Sequence, residues 1–439
     1  MKKLLLFLII LITSTLTTHA QKELWGMTSE GGEYSAGTIF KTDQNGDNQQ
    51  IVHDLFQYTG KNPRFTKMCE AGNGKLYGMT YNAGAYGFGV LFEFDPATDN
   101  YIIKLNFDGA NKGMDPNGSL MQADNGKLYG MTAGGGSNYD GVLFEFDPAT
   151  GTYIKKLDFD GENKGRNPYG SLMQADNGKL YGMTRYGGSN NYGVLFEFDP
   201  ATGTYTKKLD FDGANKGSKP QGSLMQANNG KLYGMTYQGG ANNYGVLFEF
   251  DPATGIYTKK IDFERASKGG NPTGSLMQAD IGKIYGMTRL GGSNGYGVLF
   301  EYDLATDNYS KKLDFDGANK GTNPLGSLMQ ADNGKLYGMT NGGGSNNYGV
   351  LFEFDPATDT YTKKLDFDGA NKGRSPFGSL MQADNGKLYG MTLSGGSNNN
   401  GVLFEFAPAT GIYSKKLDFD EANKGRSPFG SLMQADNGK

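Results

Sequence analysis

Cysteine is almost absent: Cys69 is the only one in 439 residues. Disulfide scaffolding is therefore excluded, and stability has to come from packing and hydrogen bonding. Histidine is nearly as scarce, with two in the whole chain, His19 and His53. A histidine triad or a histidine zinc site repeated along the chain is excluded, and His53 reads as a residue on or near a strand. Cys69 falls where other copies of a repeat carry Met121, Met173 or Met225, so it reads as a packing residue rather than a nucleophile. There is no basic block. Beyond residue 20, 40 basic residues (42 less Lys2 and Lys3) face 46 acidic ones, a net charge of −6, which argues against nucleic acid as a partner. The apolar run over residues 4–12 is shorter than the roughly 20 residues of a spanning helix. It follows Lys2 and Lys3 and gives way to small polar residues ending at Ala20. This is the pattern of an export signal over residues 1–20, cleaved after Ala20. The mature chain, 21–439, is expected outside the cell or at its surface, without a transmembrane segment.

What is abundant is glycine, 70 residues, more than double the ordinary share of about 7%. Tyr, Phe, Thr and Val are plentiful and helical periodicity is missing, which favours strands and tight turns. The tripeptide Gly-Met-Thr begins at Gly26, Gly78, Gly130, Gly182, Gly234, Gly286, Gly338 and Gly390, always 52 residues apart. The unit over 171–222 reads as four strands. Strand a is expected at 171–176 and strand b at 179–184, joined by Asn177-Gly178 as a type I′ turn. A glycine-rich loop, 187–193, leads to strand c at 194–199, where Val194, Phe196 and Phe198 oppose Leu195, Glu197 and Asp199. An Asp-Pro-Ala-Thr-Gly turn leads to strand d at 204–211, read as alternating, with Tyr205, Leu209 and Phe211 opposed to Lys208 and Asp210.

Four short antiparallel strands in about 50 residues, repeated, mark a propeller blade. The fold expected is all-β: a β-propeller of eight 52-residue units, or a piece of a longer array. The span 24–439 is 416 residues, eight times 52. It starts at a strand b and stops after a strand a, so the two could pair and close the ring. A truncated chain is the competing expectation, because residues 426–439 repeat 374–387 without a change.

The run over 167–199 resembles the GloVer tandem repeat of exported bacterial proteins. The resemblance rests on Leu180 to Thr184 (Leu-Tyr-Gly-x-Thr), Gly187-Gly188, and Gly193 to Phe196, and in the first unit on Leu24 to Thr28, Gly31-Gly32, and Gly37 to Phe40. It covers nearly the whole mature chain. It implies export, often with a C-terminal sorting signal, which is not apparent in this sequence. It supplies no activity. The Gly-Gly after a strand is also similar to kelch-type propellers, on a looser likeness.

Carboxylates recur in every unit, among them Glu197, Asp199, Asp158 and Asp160. A reaction centre is normally unique, so recurring carboxylates read as structural, and no enzyme is expected. No cofactor is required. Ca²⁺ is the one candidate, through Asp158, Asp160 and Asn163 and the equivalent Asp210, Asp212 and Asn215, whose oxygens are close in sequence. The other reading of that motif is an Asx-type turn.

The near-identical copies differ chiefly in two places. One is the pair after Gly-Met-Thr, including Arg185-Tyr186, Tyr237-Gln238 and Arg289-Leu290. The other flanks the proline before strand a, including Asp115 and Asn117, Arg166 and Tyr169, Lys219 and Gln221, and Arg374 and Phe377. In a meander the b–c and d–a loops emerge at the same end. Both variable sites are therefore expected on one face of the ring, with Arg166, Tyr169, Arg185, Tyr186, Tyr237, Arg289, Arg374 and Phe377 as candidate ligand contacts. Neutral drift at exposed loops is the alternative. A glycan or a surface protein is the expected partner. A structural surface protein comes next, and an enzyme acting on polysaccharide last.

Overall fold

A four-stranded sheet has two faces to cover, and this unit has no helix to cover them with. The computed structural model of the chain describes residues 22–64 and 66–436 and stacks eight sheets around an axis. The export signal expected over 1–20 lies outside the described residues, which contain no helix long and apolar enough to cross a membrane.

One blade stands for the others. Strand b, Leu180–Tyr186, pairs on one side with strand c, Val194–Asp199, which pairs with strand d, Thr204–Asp210. The alternation read from the sequence distributes the side chains of b and c between two interfaces. Leu180, Val194, Phe196 and Phe198 pack on the preceding blade, against Tyr129, Leu143 and Phe159. Tyr181 and Leu195 pack on the following blade, with Leu232, Val246 and Phe248. Eight such apolar clusters run round the ring, so the core sits between blades rather than inside them. Burying a large apolar side chain contributes about 1.5–3 kcal/mol. A lone blade would leave these faces wet.

The structure corrects three local expectations. Strand a is not continuous over 171–176. It is split into Arg166–Pro168, opposite Tyr186 and Thr184, and Met173–Gln174, opposite Tyr181 and Leu180. The chain between leaves the sheet to line the axis. Strand d does not alternate throughout, because the register slips between Leu195 and Phe196, leaving Lys208 as the extra residue of a bulge. Tyr205 consequently packs on the preceding blade and Leu209 on the following one. Thirdly, the a–b turn is not type I′. Gly178 has φ +76° while Asn177 is not left-handed, and the Gly178 N–H donates to Ala175 O at 2.8 Å. This is a type I turn closed by a left-handed glycine. Asn177 is used for its side chain, which accepts the Lys179 N–H at 3.1 Å and donates to the Tyr181 hydroxyl at 2.9 Å.

The ring closes through a blade built from both ends. Met433–Asp436 pairs antiparallel with Lys22–Met27, aligning Leu24 with Gln434 and Trp25 with Met433. This first blade departs from the rest. Trp25 stands where the others have Tyr77 or Tyr181, and the usual lysine–glutamate pair is inverted as Glu23 and Lys41, 3.6 Å apart. Lys41 also lies 5.3 Å from the Trp25 ring and 2.9 Å from Asp99 of the next blade. That last contact follows a rule. Where the c–d turn carries aspartate (Asp47, Asp99, Asp307, Asp359), it pairs with a lysine of the preceding blade (Lys416, Lys41, Lys260, Lys312) at 2.8–3.1 Å. Other turns carry glycine there, as at Gly151 and Gly203.

His53 lies on the outer strand of the first blade, stacked on Tyr101 of the second at 3.8 Å and 3°. Burial lowers its pKa to about 4. The unfolded histidine protonates near pH 6.5, so folding stability is lost as the pH falls from 6.5 towards 4 and changes no further below that. His53→Phe is expected to keep the stack and remove this step, which thermal melts of both proteins at pH 7, 5.5 and 4 would detect. A parallel pH dependence in the variant would refute the assignment.

Candidate ligand-binding face

The glycines after strand b assemble the face. Gly187 and Gly188 have φ +83° and +74°, and the Gly188 N–H donates to Gly161 O of the d–a loop at 2.7 Å. The b–c and d–a loops are thereby laced together, so their variable residues meet, as the meander argument requires.

At the axis, seven of the blades contribute a Gly-Ser pair from the break in strand a. The Ser119 N–H donates to Ser171 Oγ at 2.9 Å, Ser171 to Ser223 at 3.0 Å, and Ser223 to Ser275 at 3.1 Å; the chain continues through Ser327 and Ser379 to Ser431. Lys67 takes the serine position in one blade and donates its N–H to Ser119 Oγ at 3.0 Å. A Cβ on Gly170 would sit 2.7 Å from Gly222 O, so the close approach of neighbouring backbones requires glycine. This run of bonds was missed in the sequence, where a Gly-Ser repeated in seven units looks like the start of a strand. Its signal was the repetition of the pair beside a variable residue. The central cavity has a volume of about 1100 Å³. Its rim is the residue before the glycine: Tyr169, Gln221, Thr273, Leu325, Phe377 and Phe429.

A second cavity, about 430 Å³, opens on the same face where the second, third and fourth blades meet. It is lined by Arg64, Tyr81, Asp115, Asn117, Tyr139, Tyr169, Arg185 and Tyr186, among others. Of the candidate contacts, the structure brings together Arg185, Tyr186, Tyr169 and Arg166. The Arg185 guanidinium lies 5.1 Å from the Tyr169 ring and 5.3 Å from the Tyr186 ring. Arg166 and Lys219 each lie 5.8 Å from the Tyr186 ring, and Arg166 donates to Asn191 Oδ1 at 3.1 Å. Three cations thus lie around the Tyr186 ring. Arg289 and Phe377 line the central cavity instead, Phe377 in edge contact with Phe429 at 5.4 Å. Arg374 is separate again, bonded to Ser394 at 3.0 Å and 5.7 Å from the Tyr348 ring. The Tyr237 carbonyl accepts from Asn271 at 2.9 Å. Asp115 and Asn117 were legible as variable residues of the d–a loop but not as groove residues, because Asp115 lies in the short strand Met114–Pro116, which reads as loop in the sequence.

The recurring carboxylates have partners. Glu197 accepts from the Tyr181 hydroxyl at 2.6 Å and pairs with Lys179 at 2.9 Å and Lys208 at 3.0 Å. Burial works against the charged form, but these three donors hold Glu197 below the ordinary carboxylate range. The candidate metal ligands are divided between two tasks. Asp158 and Asp210 accept from Ser137 and Ser189 and pair with Lys155 and Lys207 at 2.8 Å. Asp160 and Asp212 accept the main-chain N–H groups three and four residues on, at 2.7–2.8 Å, among them those of Asn163 and Asn215. This is the Asx-type turn. Among the described residues, no three or more His, Cys, Asp or Glu side chains group in a way that could hold a metal ion.

An eight-bladed ring with its variable loops on one face defines the class as a β-propeller. The chain belongs to the Gloeobacter/Verrucomicrobia repeat family, whose pattern matches over residues 13–228, 211–372 and 319–439. No curated protein sequence matches it. Among solved structures, it is similar to a putative 6-phosphogluconolactonase from Bacteroides uniformis, at 15% identity and a TM-score of 0.50, covering 78% of this chain and 94% of that one. It is also similar to the periplasmic gluconolactonase PpgL of Pseudomonas aeruginosa, at 14% identity and a TM-score of 0.48, covering 94% and 99%. At such identity the first likeness speaks to fold alone.

Proposed function

We propose that this protein is an exported binding module that engages a glycan or a surface protein through the face bearing its b–c and d–a loops. One observation carries the reading. Units that are otherwise near-identical differ at residues that converge on one rim and one groove, including Tyr169, Arg185 and Tyr186. Residues free to drift on a solvated loop need not converge. The binding reading is preferred to a catalytic one because Glu197 and Asp158, which recur, already serve the blade's own ion pairs.

The test is a glycan-array screen of residues 21–439, run with Ca²⁺ and again with chelator. Hits are expected, and Tyr169→Ala/Arg185→Ala/Tyr186→Ala is expected to weaken binding at least tenfold while leaving the melt within a few degrees. Loss of binding with chelator would assign Ca²⁺ to the Asp-rich turns. Absence of hits under both conditions would turn the reading towards a protein partner or a structural role.

A further inference from the structure

The groove between the second, third and fourth blades contains polar groups that the fold leaves unsatisfied. Asn117 is 6% exposed, and its Oδ1 has no hydrogen-bond partner among the described residues. Nε of Arg185 is likewise without one, and no carboxylate pairs with that guanidinium among the described residues. A buried polar group left without a partner costs about 1–3 kcal/mol, so such groups are rare unless something else uses them.

Asp115 adds a chemical anomaly. Its counterparts Asn167 and Asn271 donate their side-chain amides to main-chain carbonyls, at 2.6 Å to Ala133 and 2.9 Å to Tyr237. An ionised Asp115 cannot donate, and its carboxylate has no bonded partner among the described residues. Burial raises its pKa. The groove thus offers oxygen acceptors at Asp115 and Asn117, tyrosine faces at Tyr81 and Tyr169, and an unpaired guanidinium at Arg185, with Arg166 and Lys219 close by.

We propose that this groove binds a sugar bearing a carboxylate, such as a uronic acid unit of a polysaccharide. The inference rests on the binding reading above and names its ligand class. The Arg185 fork matches a carboxylate through two parallel hydrogen bonds. Asp115 and Asn117 Oδ1 accept hydrogen bonds from ring hydroxyls. The tyrosine faces cover the apolar face of the pyranose. A neutral sugar would leave Arg185 as unpaired as it is now, and a bare anion would leave Asp115 and Asn117 so.

Calorimetric titration of residues 21–439 tests this. The probes are trigalacturonate, triguluronate and sialyllactose, each beside its methyl ester. At least one acid is expected to bind, and its ester to bind at least tenfold more weakly. Arg185→Ala is expected to remove that acid-over-ester preference, and Asp115→Asn to weaken the acid and the ester alike. Thr202→Ala, in an exposed c–d turn at the other end of the blade, is expected to change neither. Equal binding of acid and ester would overturn the proposed ligand class and leave the binding reading standing. Binding of none of the three acids would overturn it too, and array hits would then decide separately whether the face binds glycans at all. A preference for sulfated over carboxylated sugars would also overturn it.

Discussion

Removal of residues 431–439 is expected to cost on the order of 5 kcal/mol and to lower the melting temperature by roughly 10 °C. The reason is the shared blade. Met433–Asp436 supplies the inner strand against Lys22–Met27, and without it that strand becomes an open edge. Leu432 and Ala435, 4% and 3% exposed, are lost from two different interblade cores, and Leu24 and Trp25, fully buried in the intact ring, are uncovered. Large-to-small core changes alone cost about 2–5 kcal/mol. Calorimetry and size-exclusion chromatography of the two chains decide the matter. The shortened one should melt earlier and tend to associate through the exposed edge. An unchanged melt in a monodisperse protein would show that closure contributes nothing.

Acid is the second large effect. Glu93, Glu197, Glu249, Glu353 and Glu405 occupy the same place in five blades, and all are held below the ordinary carboxylate range despite burial. The same holds for Asp158, Asp210, Asp314, Asp366 and Asp418. A depressed carboxylate contributes stability that is present above its unfolded pKa and lost as the pH falls through the folded one. The identical copies lose it together. Apart from the His53 step, the melt should be flat above about pH 5 and drop by on the order of 10 °C by pH 3. Glu197→Gln should cost about 1–3 kcal/mol at pH 7, a range discounted because Lys179 and Lys208 keep part of their solvation. The gap between variant and parent should narrow as the pH falls below the ordinary carboxylate range, because the variant has no carboxylate to protonate. A melt that stays flat to pH 3 would refute the account.

How much of this was legible follows from what repeats. A period of 52 and the alternation in strand c marked the four-stranded blade, and left the pairing of the chain ends as one of two expectations. Alternation could not reveal the bulge at Lys208, because an extra residue leaves the hydrophobic pattern of strand d nearly intact. What locates the bulge is the partner strand, where Glu197 draws Lys208 to its side. Asn-Gly pointed to a hairpin, yet the loop runs over three residues, Asp176 to Gly178, and the same type I turn forms where Ile281 stands in place of the asparagine. On the candidate face, differences among copies grouped Arg185, Tyr186 and Tyr169 in one sector, without showing that Arg374 sits apart or that Asp115 and Asn117 of the preceding blade join them. That grouping is set by the angle between blades, which no single unit encodes.

The inverted charges of the first blade bear on how such a chain avoids tangling with itself. Seven hairpins are almost interchangeable, and any strand b meets much the same surface on any strand c. The blade at the seam is the one that has to be found by both ends of the chain. Glu23 opposite a foreign glutamate, or Lys41 opposite a foreign lysine, would set like charges side by side, which destabilises a strand pair. The Glu23–Lys41 pair therefore biases the opening hairpin towards its own strand, which leaves the matching edge for the closing strand to dock on.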